Sequence, residues 1–254
     1  IGTEVLHEII KKNKSKKLQI SIIEKDYSNF PGGVAYSSSK SKYGFFNNPL
    51  RLSSDEFKNW VKKPHNQKKL ITYYKNDKSL KLSGWLTKNI IKNNYKFKNL
   101  SELYLPRSTY SIFLKDKIKK TLKILKEKKF IEVNFFENKL LKIKKVNKNY
   151  LCYTKNKLKL KNIFLDQDKF EIKNKNKKKI NFLKSNKVIL GLGILPPINI
   201  NLKRSFLNIN YIHDFYSSGG TENLIKKLKK INLYQKKIKL VFIGSKAGLL
   251  ETMQ

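Results

Sequence analysis

Gly2-Thr-Glu-Val-Leu-His-Glu-Ile-Ile-Lys-Lys12, followed by Leu18-Gln-Ile-Ser-Ile-Ile-Glu24, decides how this chain is read. In the first stretch Val5, Leu6, Ile9 and Ile10 recur at helical spacing. Glu4 comes early and Lys11 and Lys12 come last, the distribution the helix dipole prefers. The second stretch alternates apolar residues with a period of two, as a strand does, and ends on an acid. Glu24 follows Gly2 by roughly 20 residues, the separation at which an acid in a βαβ unit reaches an adenosine ribose. The expected unit is therefore the downstream half of a dinucleotide-binding βαβ motif. No strand precedes Gly2, and the first residue is Ile. On this reading Gly2 is the third glycine of a G-x-G-x-x-G turn, the first two lie upstream, and the sequence is a fragment that opens inside its own motif. An ordinary βαβ unit with a surface acid at Glu24 would carry the same residues.

Further motifs follow in order: Pro31-Gly-Gly-Val-Ala-Tyr36, Phe45-Phe-Asn-Asn-Pro49, Asp55-Glu-Phe-Lys-Asn-Trp60, Tyr104-Leu-Pro-Arg-Ser-Thr-Tyr110 and Lys187-Val-Ile-Leu-Gly-Leu-Gly-Ile-Leu-Pro-Pro197. This ordered set resembles the FAD/NAD(P)-binding proteins of the two-dinucleotide-domain flavoprotein class. The family's members carry a G-G-x-A-Y turn, an L-N-x-P-like segment, an F-x-x-W-L-like helix, a P-R-x-x-Y-like helix start and an A-T-G-x-x-P-P-like strand end. The chain departs from that pattern at Gly191-Leu-Gly193, which replaces Ala-Thr-Gly, and at Ser111, which replaces a glycine. The resemblance spans nearly the whole sequence. It implies an α/β fold, with a Rossmann-like FAD-binding domain, a helical insertion and a β-meander, followed by the start of a second dinucleotide-binding unit.

Composition permits a sizeable core, with 254 residues and 39% hydrophobic content. The charge is extreme, 57 Lys+Arg against 18 Asp+Glu for a net +39. Such a balance ordinarily points to nucleic acid or an anionic membrane surface. Here only Arg51, Arg107 and Arg204 are arginines, whereas nucleic-acid readers rely on the arginine fork for phosphate and base contacts. Lysine, asparagine, isoleucine, tyrosine and phenylalanine are abundant together, the mark of a general compositional bias, so no specific nucleic-acid partner is expected. The single cysteine, Cys152, forbids an intramolecular disulfide within these residues and fits a reducing compartment. Its setting, Tyr150-Leu-Cys-Tyr153, reads as a buried strand. The apolar stretch 188–200 is too short to span a bilayer and is interrupted by prolines. The expectation is a cytoplasmic protein with no transmembrane segment that acts on a small-molecule substrate; its oligomeric state is not encoded in any visible motif.

The expected organisation is a FAD-binding domain over residues 1–197, N-terminally truncated and with its helical insertion at about 54–129. A connector and the start of a second NAD(P)-binding-like unit follow over 198–254. Helices are expected at Asp55 to Lys63 and Ser108 to Lys128, the latter capped by Ser108 or Thr109 after Pro106. Beyond Phe130 the period changes to two. Strand-like segments fall at residues 131–135, 139–146, 150–153, 161–165 and 168–173, separated by Asn/Lys turns, with a last strand at Lys187 to Leu190. Ile238-Lys-Leu-Val-Phe-Ile-Gly244 followed by Ser-Lys246-Ala-Gly248 has the strand, tight turn and helix start of a second dinucleotide-binding unit. Lys246 stands where a middle glycine usually permits close pyrophosphate approach. It can hold a phosphate as a point charge, yet its Cβ obstructs the backbone; a degenerate repeat that binds nothing fits the same residues.

The candidate site residues follow from these readings. Gly32 and Gly33 can adopt positive φ and present backbone N–H groups to phosphates or flavin, or can form a plain surface turn. The resemblance places Asn47 near the flavin and Gly193 where the chain passes the cofactor. Arg107, rare in a lysine-rich chain, suits a phosphate, a substrate carboxylate or a structural pair with Glu102. With Gly2, Glu24, Gly244, Lys246 and Gly248 these make up the expected cofactor-binding set, the cofactor being FAD and, if the second unit functions, NADP or NAD. His7, His65 and His213 form no metal or catalytic constellation, and no G-x-S-x-G elbow occurs. The leading expectation is an NAD(P)H-linked, FAD-dependent oxidoreductase, with oxygen activation as in flavin monooxygenases one variant of it. A non-catalytic flavin- or nucleotide-binding module is the rival, and a polycationic surface binder a third reading.

Overall fold

The computed structural model describes residues 2–36, 44–77, 80, 84–158, 160–166, 169–174, 180–191, 226 and 229. Gly193, Gly244, Lys246, Gly248 and His213, with the second dinucleotide-binding unit and all of the expected connector but residues 226 and 229, lie outside the described residues. The chain divides into two compact units, one of residues 1–33 and 112–192, the other of 34–111 and 193–254.

The first unit is built on helix α1 (Gly2–Lys12) and strand β1 (Leu18–Glu24), as their periodicities predict. The short connection between them is held by an Asn13 side chain that accepts from Lys16 N–H at 3.0 Å and donates to Lys16 C=O at 2.8 Å. Leu6 and Ile10 of α1 enter a core with Ile118 and Ile131, against which Leu18, Ile20 and Ile22 of β1 pack from alternate positions of one sheet face. Ile118 belongs to the long helix Ser108–Glu127, which ends one residue before the expected Lys128. That helix returns the chain to strand β2 (Ile131–Glu137), parallel to β1 with Leu18 opposite Ile131 and Glu24 opposite Glu137. Parallel neighbours require such a crossover, and the helix covers the apolar face it leaves.

Three polar ties fasten α1 to this long helix and the turn after it. Buried Lys117 pairs with Glu4 in the first turn. His7 Nδ1 meets Thr121 Oγ1 at 2.7 Å; since the threonine hydroxyl already donates to Lys117 C=O, the imidazole N–H is the donor. At the other end Lys128 Nζ donates to the carbonyls of Ile10, Lys11 and Asn13 at 2.7, 3.1 and 2.6 Å, capping the last turn.

The strands after β2 do not form one meander, as expected, but divide between two sheets. One has the order β1-β2-β5-β6, with β5 (Leu160–Asp166) and β6 (Lys169–Asn174) added antiparallel to β2. The other has the order β3-β4-β7, from β3 (Leu140–Val146), β4 (Asn149–Leu158) and β7 (Ile180–Ser185). Strand β7 was not anticipated; it supplies the second antiparallel neighbour of β4. The strand expected at Lys187 to Leu190 has no ladder among the described residues, and Ile189 and Leu190 are exposed. Cys152 is buried in β4, and burial pushes its thiol up, as for a structural cysteine.

After a short helix α2 (Gly33–Tyr36), helix α3 (Asp55–Lys62) of the second unit buries Phe57, Trp60 and Val61 from one face. It stops one residue short of the expected Lys63, because Pro64 excludes α geometry from the residue before it; Lys63 is extended, with ψ 128°, and Pro64 opens helix α4 (Pro64–Lys75). Asn66 Nδ2 donates to Trp60 C=O at 2.7 Å, satisfying a carbonyl at the α3 terminus. Segment 44–50 lies antiparallel to 103–107: Phe46 N–H donates to Leu105 C=O at 2.9 Å, Leu50 N–H to Leu103 C=O at 3.0 Å and Arg107 N–H to Gly44 C=O at 2.9 Å. Phe46 packs on Phe57 and Tyr110, with centroids 5.6 and 6.1 Å away, and Tyr74 is fully buried with its hydroxyl bonded to Thr109 Oγ1. Thr109 thus spends its side chain on α4, while its N–H bonds to Pro106 C=O at 2.9 Å.

Candidate functional site

In the first unit, α1 turns back along β1, so the first turn of α1 and the carboxyl end of β1 share one edge of the sheet. Here the structure gathers several of the sequence-predicted residues. Buried Thr3 donates its hydroxyl to Pro31 C=O at 2.9 Å, fixing the Pro31-Gly32-Gly33 turn beside the first turn of α1. Gly33 adopts φ +67°, the left-handed conformation anticipated for this turn, and a Cβ placed on it would meet open space. The penalty for a side chain there is therefore conformational. Gly2 also faces open space, and the chain at Gly191 passes so close that a Cβ on it would lie 3.6 Å from Gly2 N. Backbone from three separate stretches thus converges on a helix N-terminus, where the dipole and unsatisfied N–H groups favour an anion.

Glu24 closes β1 next to Glu137 of β2. Its Oε1 accepts the Asp26 N–H at 3.2 Å. Burial pushes its carboxyl above the ordinary 4.5; the N–H groups of Asp26 and Lys25 oppose this, and the charges of Asp26 and Glu137 add to it. The neighbouring acids have structural work. Asp26 caps the turn Tyr27–Asn29 through Ser28 N–H at 2.9 Å and holds Asn29 Nδ2 at 3.2 Å, while Glu137 Oε1 accepts Tyr27 N–H at 3.4 Å.

Asn138 was not singled out by the sequence. It is 6% exposed, its N–H donates to Glu24 C=O at 2.9 Å, and its amide makes three bonds: Oδ1 accepts from Lys139 N–H at 2.8 Å and Asn156 N–H at 3.2 Å, and Nδ2 donates to Asn156 C=O at 2.7 Å. This residue ties the end of β1 to the turn after β2 and to β4. An asparagine among many at strand ends carries no local sign of that role. Thr3 is the other omission, and its position directly after Gly2 was the available signal.

In the second unit, Arg107 departs from one of the expected alternatives. Glu102 pairs with Arg51 at 3.1 Å, on the surface, and not with Arg107. Arg107 instead donates from Nε to Phe45 C=O at 2.8 Å and from Nη2 to Asn47 Oδ1 at 3.0 Å. Arg107 reaches segment 44–47, whereas Arg51 lies within the short turn Leu50–Leu52, which neighbours Leu100–Glu102. Among the described residues no group of three His, Cys, Asp or Glu side chains could hold a metal ion, and no helix is long and apolar enough to cross a membrane.

A mixed α/β sheet with a parallel pair and glycine-rich backbone at the N-terminus of its first helix is the arrangement of Rossmann-like nucleotide-binding proteins. The chain belongs to the FAD-NAD(P)-binding family, which matches residues 1–165. No curated protein and no solved structure matches the chain.

Proposed function

We propose that this protein is a FAD-dependent oxidoreductase, linked to NADPH or NADH and acting on a small-molecule substrate. The observation that carries the reading is the convergence of Gly191, the Gly32-Gly33 turn and Gly2 at the start of α1, at the sheet edge where Glu24 ends β1. Gly2 and Gly33 leave room for a ligand, as a diphosphate at this helix end requires, and N–H groups there would hold its oxygens. The Glu24 carboxylate, half-buried and acceptor-only when ionised, suits the paired hydroxyls of an adenosine ribose. Bound flavin would supply the redox chemistry, and the chain's own groups would bind it, orient it and tune its electronics. Gly193 falls in the same stretch as Gly191, and Gly244, Lys246 and Gly248 are assigned to the nicotinamide cofactor. Purification of the full-length protein tests the reading: it should copurify with FAD and bleach on addition of NADPH or NADH. A folded, colourless protein that takes up no added FAD would overturn it.

A further inference from the structure

Glu4 is the third residue of α1, in the turn whose N–H groups the FAD reading gives to a diphosphate. An acid there suits the helix dipole, and a carboxylate three residues into a helix can fold back onto the free N–H groups at its start. Both effects work against a bound anion, because the carboxylate repels it through space and competes for the same donors. In this structure the carboxylate is committed elsewhere. Its Oε2 accepts from Lys117 Nζ, on the helix Ser108–Glu127.

Lys117 differs from the many other lysines of this chain. It is 4% exposed, and among the described residues it is the one buried lysine or arginine. Its ammonium lies 5.8 Å from the centroid of the buried Phe113 ring, and its carbonyl accepts from Thr121 Oγ1 at 2.8 Å. Exposed lysines are screened by water and salt, whereas a buried ammonium acts on its neighbours with little screening. A buried ion pair is also a poor source of stability, since apolar residues of the same volume often serve as well. The effect of the pair falls on the charge at the start of α1. Lys117 cancels the charge of Glu4 and leaves the helix dipole and its N–H groups as the field that an anion meets. Glu4 and Lys117 belong to the same compact unit as Gly2, Gly33 and Gly191.

We propose that Lys117 is a positioning residue that holds the Glu4 carboxylate off the start of α1 and cancels its charge, so that this helix end can take the diphosphate of FAD. This rests on the FAD reading above.

The test titrates full-length apoprotein with FAD in wild type, Lys117→Met, Glu4→Gln and the double variant, each well below its own melting temperature. Lys117→Met leaves Glu4 uncompensated and should raise the dissociation constant about tenfold, a loss that added salt reduces. Glu4→Gln should bind FAD no more weakly than wild type. The double variant, neutral at both positions, should return to within about threefold of wild type. The unlike behaviour of the two single variants separates this role from a structural one, in which breaking the pair from either side weakens binding alike. If Lys117→Met fails to fold, Lys117→Gln takes its place, since it keeps a donor for Glu4 and removes only the charge. An unchanged dissociation constant in the Lys117 variant, weaker binding by Glu4→Gln, or a loss that the double variant does not restore would overturn the inference while leaving the FAD reading in place. A folded wild type that takes up no FAD would remove both.

Discussion

Glu24→Gln should move stability and ligand affinity in opposite directions, a signature that a purely structural residue does not give. The folded-state carboxyl is raised above 4.5 chiefly by burial. For an acid shifted upward, the protonated form is favoured in the fold. Its contribution to stability is full below 4.5 and is lost as pH rises through the folded value, so the ionised group opposes folding at neutral pH. Glutamine carries no charge to desolvate, and its oxygen can still accept the Asp26 N–H that Glu24 Oε1 accepts at 3.2 Å. The ligand-free variant should therefore unfold at a higher temperature than wild type at pH 7, with the difference shrinking below pH 4.5. Binding should weaken instead. Glutamine is uncharged and sets an NH₂ donor where the second carboxylate oxygen stood, so a charge-assisted bond to the ribose worth about 1.5–3 kcal/mol is lost. At about 2 kcal/mol this is roughly a 30-fold rise in the dissociation constant for FAD. Titration of apoprotein with FAD, followed by quenching of flavin fluorescence, measures it, and thermal unfolding of the same samples measures stability. An unchanged dissociation constant, or a variant less stable than wild type at pH 7, would refute the assignment of Glu24 to the ligand.

Lys128→Met should cost about 1–2 kcal/mol at neutral pH, because three carbonyls at the end of α1 lose their cap while the aliphatic stem remains; unchanged denaturant midpoints would show that water replaces the ammonium without loss. Asn138→Ala should cost about 2–3 kcal/mol, since it removes the partners of Lys139 N–H, Asn156 N–H and Asn156 C=O in a nearly buried position. Hydrogen exchange should quicken at these amides first, and a global loss without local acceleration would contradict the tie between β2 and β4.

Local chemistry made much of this protein legible from sequence alone. Helix α1, strand β1 and the helix Ser108–Glu127 follow from apolar periods and charge placement within a few turns of chain. The end of α3 could be read from Pro64, whose ring acts on its immediate neighbour. The Gly32-Gly33 pair marked a turn able to take positive φ, but which of the two takes it, Gly33 and not Gly32, was left to the fold. The alignment of Gly2 with Glu24 likewise follows from chain order, since a helix that returns along its strand brings its start to the strand's end. Contacts across the chain decided the rest. Strands β4 and β5 are separated by Lys159 alone, yet they join different sheets, because each follows the hydrogen-bonding edge open to it and not its own sequence. Glu102 could pair with Arg51 or Arg107 on charge alone; the backbone pairing of 44–50 with 103–107 turned Arg107 toward Asn47 and left Glu102 to Arg51. Asn138 acquires its role only when β1, β2 and β4 are assembled, since every group it bonds beyond Lys139 comes from a distant stretch of chain.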